Sequence, residues 1–372
     1  MSADSANPAK AAGPQPTPLA RRVANLIART HPRFARARFT EAIRRTTPEL
    51  LERHRVPGFQ CAFMIAEAAP RTMCFGVADV QTREPMTDGT RFRIGSLAKP
   101  VAAVVFLTLV RDRVLDLDEP LAEIRPFFEG CPPDARARAA RLTARLLLAH
   151  RSGLASVHPP RIEASAFADA DREAWLNAAN LRFEDDLGPE SGYSSVNYAL
   201  LEAVAVKRTG LGFPALARRR LFDVVGVPCG HEGAVPPGGA VSADHDEQGR
   251  SIVVHPSASA ASSGLVASAP DLCRLMHAAF FTDAVLPPAL RDVLRTPQPP
   301  GRPDASFTAG LHLYRDTDAR SLGHGGQRAG HRSILVVVPR ARAVLCVATN
   351  GENGSPVTRP LTGFFRAITI GD

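Results

Sequence analysis

Residues 92–100 read Phe92-Arg93-Ile94-Gly95-Ser96-Leu97-Ala98-Lys99-Pro100 and lead into an apolar run that continues to Val110. Positions in this run recur at i, i+3, i+4, i+7 and i+8, the period of a helix with a buried face: Val101, Val104, Val105, Thr108 and Leu109. Nearly every position between them is also small or apolar, which predicts burial on most sides. Pro100 fits only the first turn of a helix, where a backbone N–H has no partner. The helix is therefore predicted to begin close to Ser96.

This start places a hydroxyl and an amine one helical turn apart. Ser96 and Lys99 would share a face at the positive end of the helix dipole. A serine hydroxyl becomes a strong nucleophile only when a base takes its proton, and burial can lower a lysine pKa by roughly 3–5 units. The chain contains only three lysines, Lys10, Lys99 and Lys207, among 45 Lys and Arg residues. A lysine at this position of an Arg-rich chain therefore indicates a base, although the spacing alone also occurs by chance.

The pair resembles the Ser-x-x-Lys motif of the serine β-lactamases, penicillin-binding DD-peptidases and related esterases. The resemblance extends over roughly residues 57–352 and is carried further by residues 75–79 (Phe-Gly-Val-Ala-Asp), 90–96, 115–121 (Leu-Asp-Leu-Asp-Glu-Pro-Leu) and 142–154. It is closest in motif variants to the esterase and acyltransferase members. The resemblance implies an α/β fold in which an antiparallel sheet is flanked by helices and carries an inserted all-helical lobe, with the active site in the cleft.

The second motif of that family is Tyr-x-Asn, and the corresponding residues are Tyr193, Ser194 and Ser195. The resemblance places Tyr193 beside the serine and lysine, where a phenol can shuttle a proton. Only three tyrosines exist, and Tyr193 and Tyr198 both lie in this segment. The alternative is a turn whose tyrosines pack on the core with satisfied hydroxyls, and we favour it for Tyr198. Ser195 replaces the usual asparagine, which weakens recognition of a substrate amide.

The third motif is Lys-Thr-Gly on a strand, and the matching segment is Gly323-His324-Gly325-Gly326-Gln327. Its His-x-Gly resembles the variant of esterases and aminopeptidases in the family. Gly325 and Gly326 let the backbone approach a substrate, so the N–H of Gln327 could form an oxyanion hole with the N–H of Ser96. His324 lacks the permanent charge that would hold a substrate carboxylate. The alternative for His324 is a hydrogen-bonded histidine in a strand.

Length and composition predict one large two-lobed unit, since 372 residues with 45% hydrophobic residues can bury a sizeable core. We predict a disordered tail over residues 1–18 and an Arg-rich helical segment over 19–55, with solvated helices at 19–30 and 34–54. Residues 56–372 form the β-lactamase-like catalytic domain. Its sheet lobe comprises 56–95 and about 300–372, and its helical lobe about 110–270. Strands at both ends of this domain would share one antiparallel sheet.

The charge and hydropathy patterns exclude several classes of partner. Of the net charge of +8, about +7 falls within residues 1–55, where an acidic partner remains an alternative. Base-stacking aromatic residues do not accompany it, so nucleic acid is not expected. The sequence has no stretch of the roughly 18 apolar residues that a membrane span needs, and the run after Arg21-Arg22 is too short for an export signal. We therefore expect a cytoplasmic protein with no membrane partner.

Metal and cofactor sites are not predicted. The six cysteines lack metal-ligand spacing and are expected to be reduced thiols. The 11 histidines include no His-Glu-x-x-His, and His150 is interpreted as core packing at a helix end. Phosphate-binding and dinucleotide-binding loops are absent from the sequence, as is Gly-x-Ser-x-Gly.

The sequence thus predicts a serine acyl-enzyme catalyst that hydrolyses a small-molecule ester or amide through Ser96, Lys99 and Tyr193, without defining an oligomeric state. One alternative is an acyltransferase of specialised metabolism that passes the acyl group to an amine or alcohol. Another is a non-catalytic binding or sensor domain that uses the same cleft. Retention of the serine, lysine and tyrosine argues against the second alternative.

Overall fold

The computed structural model describes residues 31–66, 69–160, 169–188, 192–233, 240–298, 306–315 and 320–369. The predicted tail over 1–18 and the predicted helix over 19–30 lie outside these ranges. The helices are α1 (Pro32–Arg53), α2 (Ala98–Arg111), α3 (Pro133–Ala139), α4 (Ala144–Leu148), α5 (Asp169–Trp175), α6 (Val196–Thr209), α7 (Phe213–Ala217), α8 (Asp223–Val225), α9 (Ala269–Phe281), α10 (Pro288–Arg295) and α11 (Ser355–Thr369). The strands are β1 (Gly58–Ile65), β2 (Arg71–Gly76), β3 (Phe92–Arg93), β4 (Gly230–His231), β5 (Asp244–His245), β6 (Ser251–Ile252), β7 (Leu265–Ala267), β8 (His312–Arg315), β9 (Arg320–Arg328), β10 (His331–Val338) and β11 (Ala343–Thr349).

Six strands form one antiparallel sheet in the order β2-β1-β11-β10-β9-β8. The first strand of the domain pairs with the last, with Phe59 opposite Thr349 and Ile65 opposite Ala343. The two ends of the catalytic domain therefore share one sheet, as predicted. The α/β class with an antiparallel sheet, flanking helices and a helical lobe is confirmed.

Strand β1 shows why this sheet has a core on both faces. All eight of its residues are buried, and alternate side chains point to opposite faces. Phe59 and Phe63 enter the core beneath α1 and α11, whereas Met64 enters the core shared with the helical lobe. The ring of Phe39 in α1 lies 4.9 Å from that of Phe63 and 5.1 Å from that of Phe365 in α11.

Helix α1 differs from the solvated helix that its arginines predict. One face is buried at every fourth residue, at Ala35, Phe39, Ile43, Thr47 and Leu51, and it packs on the sheet. Arginines such as Arg33, Arg44 and Arg45 occupy the exposed side. The described part of the Arg-rich segment therefore shares a core with the sheet, while the division of the chain at residue 55 stays a prediction.

Helix α2 is the buried helix that the periodicity predicts. Every residue from Ala98 to Leu109 is buried, and a 3₁₀ turn over Gly95–Leu97 precedes the helix. Pro100 lies in the first α-helical turn, where it costs no hydrogen bond. Ser96 therefore stands at the N-terminal end of a rigid, enclosed helix. Within the residues that the structure describes, none of the helices is both long and apolar enough to cross a membrane.

Candidate active site

The position of Ser96 depends on a glycine. Gly95 has φ +54°, a conformation that favours glycine. A Cβ at this position would lie 2.6 Å from the carbonyl oxygen of Gln327 and 2.9 Å from its nitrogen. Only a residue without a side chain lets the turn approach strand β9 so closely. Ser96 is thereby held between its own helix and that strand.

Lys99 is completely buried directly beneath Ser96. Its Nζ lies 3.2 Å from the Oγ of Ser96 and 3.3 Å from the Oγ of Ser195, and it donates to the carbonyl oxygen of Ser262 at 2.9 Å. Burial lowers the pKa of Lys99 from 10.5 to about 7. A large share of the amine is therefore neutral at neutral pH, with a lone pair that can accept the serine proton.

Tyr193 completes a hydrogen-bonded group with the serine and lysine. Its hydroxyl donates to the Oγ of Ser96 at 2.8 Å, and the Nζ of Lys99 lies 4.9 Å from the centre of its ring. Burial raises the pKa of Tyr193 to about 12, although hydrogen bonds with Ser96 and Ser195 act in the opposite direction. The phenol therefore stays protonated at neutral pH, which leaves Lys99 as the stronger candidate for the base.

The register of the β9–β10 hairpin directs a backbone N–H at the serine. Arg328 and His331 pair across a two-residue turn, so they form a hydrogen-bonded pair. Gln327 and Arg332, the next residues along the two strands, then form a non-hydrogen-bonded pair. The N–H of Gln327 therefore points away from β10. Strand β8 pairs only with residues 320–323 of β9, so that side is open toward the Ser96 turn. The geometry is suited to an oxyanion hole formed with the N–H of Ser96.

The two glycines before Gln327 have different surroundings. A Cβ at Gly326 would lie 2.1 Å from the carbonyl oxygen of Ile94 and 2.2 Å from the Oγ of Ser333. A Cβ at Gly325 would have nothing within 4 Å. Close packing therefore requires glycine at 326 only, and Gly325 faces open space.

His324 is buried, and its Nδ1–H donates to the carbonyl oxygen of Gly325 at 2.6 Å. Burial lowers its pKa to about 3, and the nearby Lys99 and His312 act in the same direction. The hydrogen-bonded strand histidine is therefore the observed arrangement. A neutral imidazole rather than a cation faces the cleft at this position.

The cleft in front of Ser96 has a volume of about 660 Å³. It is lined by every predicted site residue except Lys99: Ser96, Tyr193, Ser195, His324, Gly325, Gly326 and Gln327. His312 also lines it, with its ring 6.3 Å from that of Tyr193, and no sequence motif marks this residue. In the described part of the chain, His, Cys, Asp and Glu side chains form no group of three that could hold a metal ion.

Two other residues support the site from behind. His150 is buried as predicted, but its Nδ1 also accepts from the backbone N–H of Ser194 at 3.1 Å, and its ring lies 4.6 Å from that of Tyr193. Tyr198 donates to the carbonyl oxygen of Leu148, in agreement with the structural interpretation of this residue. His150 therefore helps to hold the segment that carries Tyr193.

Another serine, Ser242, has a histidine partner and lies away from the cleft. The Oγ of Ser242 lies 2.8 Å from Nε2 of His331, whose Nδ1 lies 2.6 Å from Asp244, and Asp244 pairs with Arg93 at 2.7 Å. Ser242, His331 and Asp244 are all buried, and none of them lines the cleft. This network connects the approach to Ser96 with the β9–β10 hairpin rather than forming a second accessible nucleophile.

The antiparallel sheet, the helical lobe and a serine in hydrogen-bond contact with a buried lysine and a tyrosine define the class of serine β-lactamases and penicillin-binding proteins. The comparison with protein-family models agrees, because the model described as Beta-lactamase matches residues 43–363. This chain belongs to the beta-lactamase family, and the resemblance seen in the sequence is confirmed.

Individual relatives are similar over different lengths. Penicillin-binding protein 4 of Amycolatopsis lactamdurans is 28% identical over 343 residues, covering 85% of each chain. The Beta-lactamase of Providencia stuartii is 23% identical over 178 residues, which cover 48% of this chain and 43% of the relative. The chain thus spans less than half of that relative's length. Among solved structures, SurE superimposes with a TM-score of 0.74 at 26% identity, covering 90% of this chain and 77% of the other.

Proposed function

We propose that this chain is a serine acyl-enzyme catalyst that hydrolyses a small ester or amide. The observation that supports this most strongly is the contact between the Oγ of Ser96 and the Nζ of Lys99, at 3.2 Å, in a site where burial lowers the lysine pKa to about 7. A base with a pKa near the working pH combines a large neutral fraction with useful proton affinity.

In the proposed reaction, the Oγ of Ser96 bonds to the carbonyl carbon of the substrate while Lys99 takes the proton of that hydroxyl. The electron pair of the C=O bond moves onto the carbonyl oxygen. The N–H groups of Ser96 and Gln327 donate to that oxyanion. As the oxyanion re-forms the C=O bond, the bond to the leaving group breaks, and Tyr193 gives the leaving group its proton and is reprotonated by Lys99. Water then repeats the sequence on the acyl-enzyme and releases the acid.

The residues around the serine favour esters over amides and β-lactams. Ser195 stands where the family usually has asparagine, so no side-chain amide is available there to bind a substrate amide. His324 is neutral because burial lowers its pKa to about 3, so it offers no fixed charge to a substrate carboxylate. The names of the two relatives above are Beta-lactamase and Penicillin-binding protein 4, and we do not extend what these names describe to this chain.

The test is the intact mass of the protein after mixing with p-nitrophenyl acetate, for wild type, Ser96→Ala and Ser242→Ala. We expect a 1:1 acyl adduct in wild type and in Ser242→Ala, the control that removes the buried serine paired with His331, and none in Ser96→Ala. Equal labelling of wild type and Ser96→Ala would refute the proposal. Absence of an adduct in wild type would favour a binding or sensor domain. Added amines that divert the acyl group from water would indicate an acyltransferase.

A further inference from the structure

A carboxylate is completely buried in the helical lobe, where the proposed mechanism does not use it. Glu202 lies on α6 with no exposed surface. Its oxygens accept from the Oγ of Ser259 at 2.8 Å, the backbone N–H of Ala261 at 3.0 Å and a guanidinium N–H of Arg172 at 3.2 Å. Burying a carboxylate is unfavourable unless donors satisfy it, and a buried ion pair is weak evidence for added stability. Its partners therefore indicate what it does.

Two of those partners belong to a serine-rich loop over residues 257–264, here called the serine loop. The Oγ of Ser259 donates to Glu202 and also accepts from the backbone N–H of Ser262 at 3.2 Å. The carbonyl oxygen of Ser262 in turn accepts from the Nζ of Lys99 at 2.9 Å. Three consecutive hydrogen bonds thus connect Glu202 to the amine beneath Ser96.

The carbonyl of Ser262 matters because of the geometry of a neutral amine. Such an amine has two N–H donors and one lone pair. For the lone pair to accept the proton of Ser96, both N–H groups need acceptors on the other side. The carbonyl oxygen of Ser262 at 2.9 Å, the Oγ of Ser195 at 3.3 Å and the Oγ of Ser262 at 3.4 Å are the acceptors there. A displacement of Ser262 would remove two of these three acceptors and leave the lone pair free to turn away from the serine.

We propose that Glu202 is a positioning residue that orients the Lys99 amine through Ser259 and the serine loop. This inference rests on the acyl-enzyme function proposed above. Sequence position gives no sign of it, since Glu202 lies seven residues after Ser195, which precedes helix α6, and Lys99 lies more than 100 residues upstream.

Among the described residues, charged and titratable groups lie near both ends of this connection. Near Lys99 they include His150, His312, His324, Tyr193 and Tyr198, and burial disfavours the charged form of each because it lowers the histidine pKa values and raises the tyrosine pKa values. Near Glu202 they are Arg172 and, 3.9 Å from that arginine, Glu173. A change in rate after cutting the connection at Ser259 would not come from a new charge, because serine and alanine are both neutral.

The test compares Ser259→Ala, Glu202→Gln, the double variant and a control, Glu123→Gln. Glu123 accepts from Arg208 of the same helix α6 at 2.6 Å but does not contact the serine loop. The acylation rate and KM with p-nitrophenyl acetate are measured from pH 5 to 10. Ser259→Ala leaves the Glu202 carboxylate with its Ala261 and Arg172 partners. If Glu202→Gln does not fold, the acylation rate of Ser259→Ala alone tests the inference.

We expect Ser259→Ala and Glu202→Gln each to lower the maximal acylation rate about tenfold. This is the effect expected when the Lys99 amine loses its hydrogen bond with the carbonyl of Ser262. KM should stay within about twofold of wild type. The double variant should be no slower than the slower single variant, because Ser259→Ala removes one of the contacts between Glu202 and the serine loop that Glu202→Gln also weakens. Glu123→Gln should match wild type. Single variants with wild-type rates, or effects that multiply in the double variant, would overturn the inference.

Amide hydrogen exchange of residues 257–264 in unreacted protein separates this inference from the proposed function. Faster exchange in Ser259→Ala and Glu202→Gln, but not in Glu123→Gln, would support the anchoring of the serine loop even if wild type formed no acyl adduct. Unchanged exchange in both variants would overturn it.

Discussion

The acylation rate should follow the protonation of Lys99. Only the pH is changed, from 9 to 5. This range spans the pKa of about 7 that burial gives the Lys99 amine. Lowering a lysine pKa from 10.5 to about 7 corresponds to about 5 kcal/mol against the charged form. At pH 5 about one molecule in 100 then carries the neutral base, so acylation should be about 100-fold slower than at pH 9.

Three other titratable groups near the serine have pKa values shifted away from this range. Tyr193 has a pKa raised to about 12, and burial lowers the pKa of His324 to about 3. Burial likewise holds the pKa of His150 well below its usual value. The acid limb of the profile should therefore follow Lys99 rather than Tyr193, His324 or His150.

Two measurements check this prediction. Acid-quenched intact mass gives the rate of adduct formation without relying on a pH-dependent chromophore. Nuclear magnetic resonance of protein labelled with ¹³C at lysine Cε reports the titration directly, because the chain has only three lysines and Lys99→Met identifies the signal. A rate midpoint near 4, or a Lys99 signal that titrates near 10, would refute the assignment of Lys99 as the base.

Three further predictions follow from the same geometry. Tyr193→Phe removes the hydroxyl that lies 2.8 Å from the Oγ of Ser96. It should slow acylation, measured by acid-quenched intact mass, about 100-fold with little change in KM. A rate within twofold of wild type would remove Tyr193 from the mechanism. Gly326→Ala should lower the rate about 100-fold or more by displacing Gln327, whereas Gly325→Ala, with open space, should remain active; equal activity of the two variants would contradict the register argument. Lys99→Met should raise the thermal midpoint. The folded lysine binds its proton more weakly than the unfolded one, so its cost of up to about 5 kcal/mol is present in full below pH 7 and disappears as pH rises toward 10.5. Calorimetry at pH 6 and pH 10 should show the larger gain at pH 6, and a lower midpoint at pH 6 would contradict a buried, destabilising amine.

Much of the fold was predictable because its signals are local. The period of residues 101–109 and Pro100 in the first turn locate helix α2, and the apolar runs at both ends of the domain predict a shared sheet. Helix α11 escaped prediction because Pro360 and Gly363 interrupt its sequence, although Val357, Leu361 and Phe365 repeat every four residues and are buried. The buried face of α1 was not predicted for a different reason. Arginines dominate the composition of this helix and obscure the buried residues that recur every four positions between them.

The candidate site was predictable only where a motif carries it. Ser96, Lys99 and Tyr193 follow from the family motifs, and the structure places both Lys99 and Tyr193 within hydrogen-bond distance of Ser96. Ser262 contacts the Nζ of Lys99 most closely through its backbone carbonyl, at 2.9 Å, with its Oγ at 3.4 Å, and one serine in a serine-rich loop leaves no distinctive signal in the sequence. Glu202 contacts a loop 57 residues away through a serine hydroxyl, and neither residue type is unusual in a helix or a loop. Such contacts depend on tertiary structure that the sequence pattern does not encode locally.

These observations explain why the site combines an apolar helix with buried polar groups. Burial is needed because it lowers the pKa of Lys99, yet the same burial would leave its N–H groups unsatisfied. The carbonyl of Ser262 and the hydroxyl of Ser195 satisfy them without adding a negative charge, which would raise the lysine pKa again. Glu202 holds the carbonyl of Ser262 in place through Ser259 and makes no direct contact with the amine. The arrangement therefore keeps the base neutral and oriented at once, which a carboxylate placed beside Lys99 could not do.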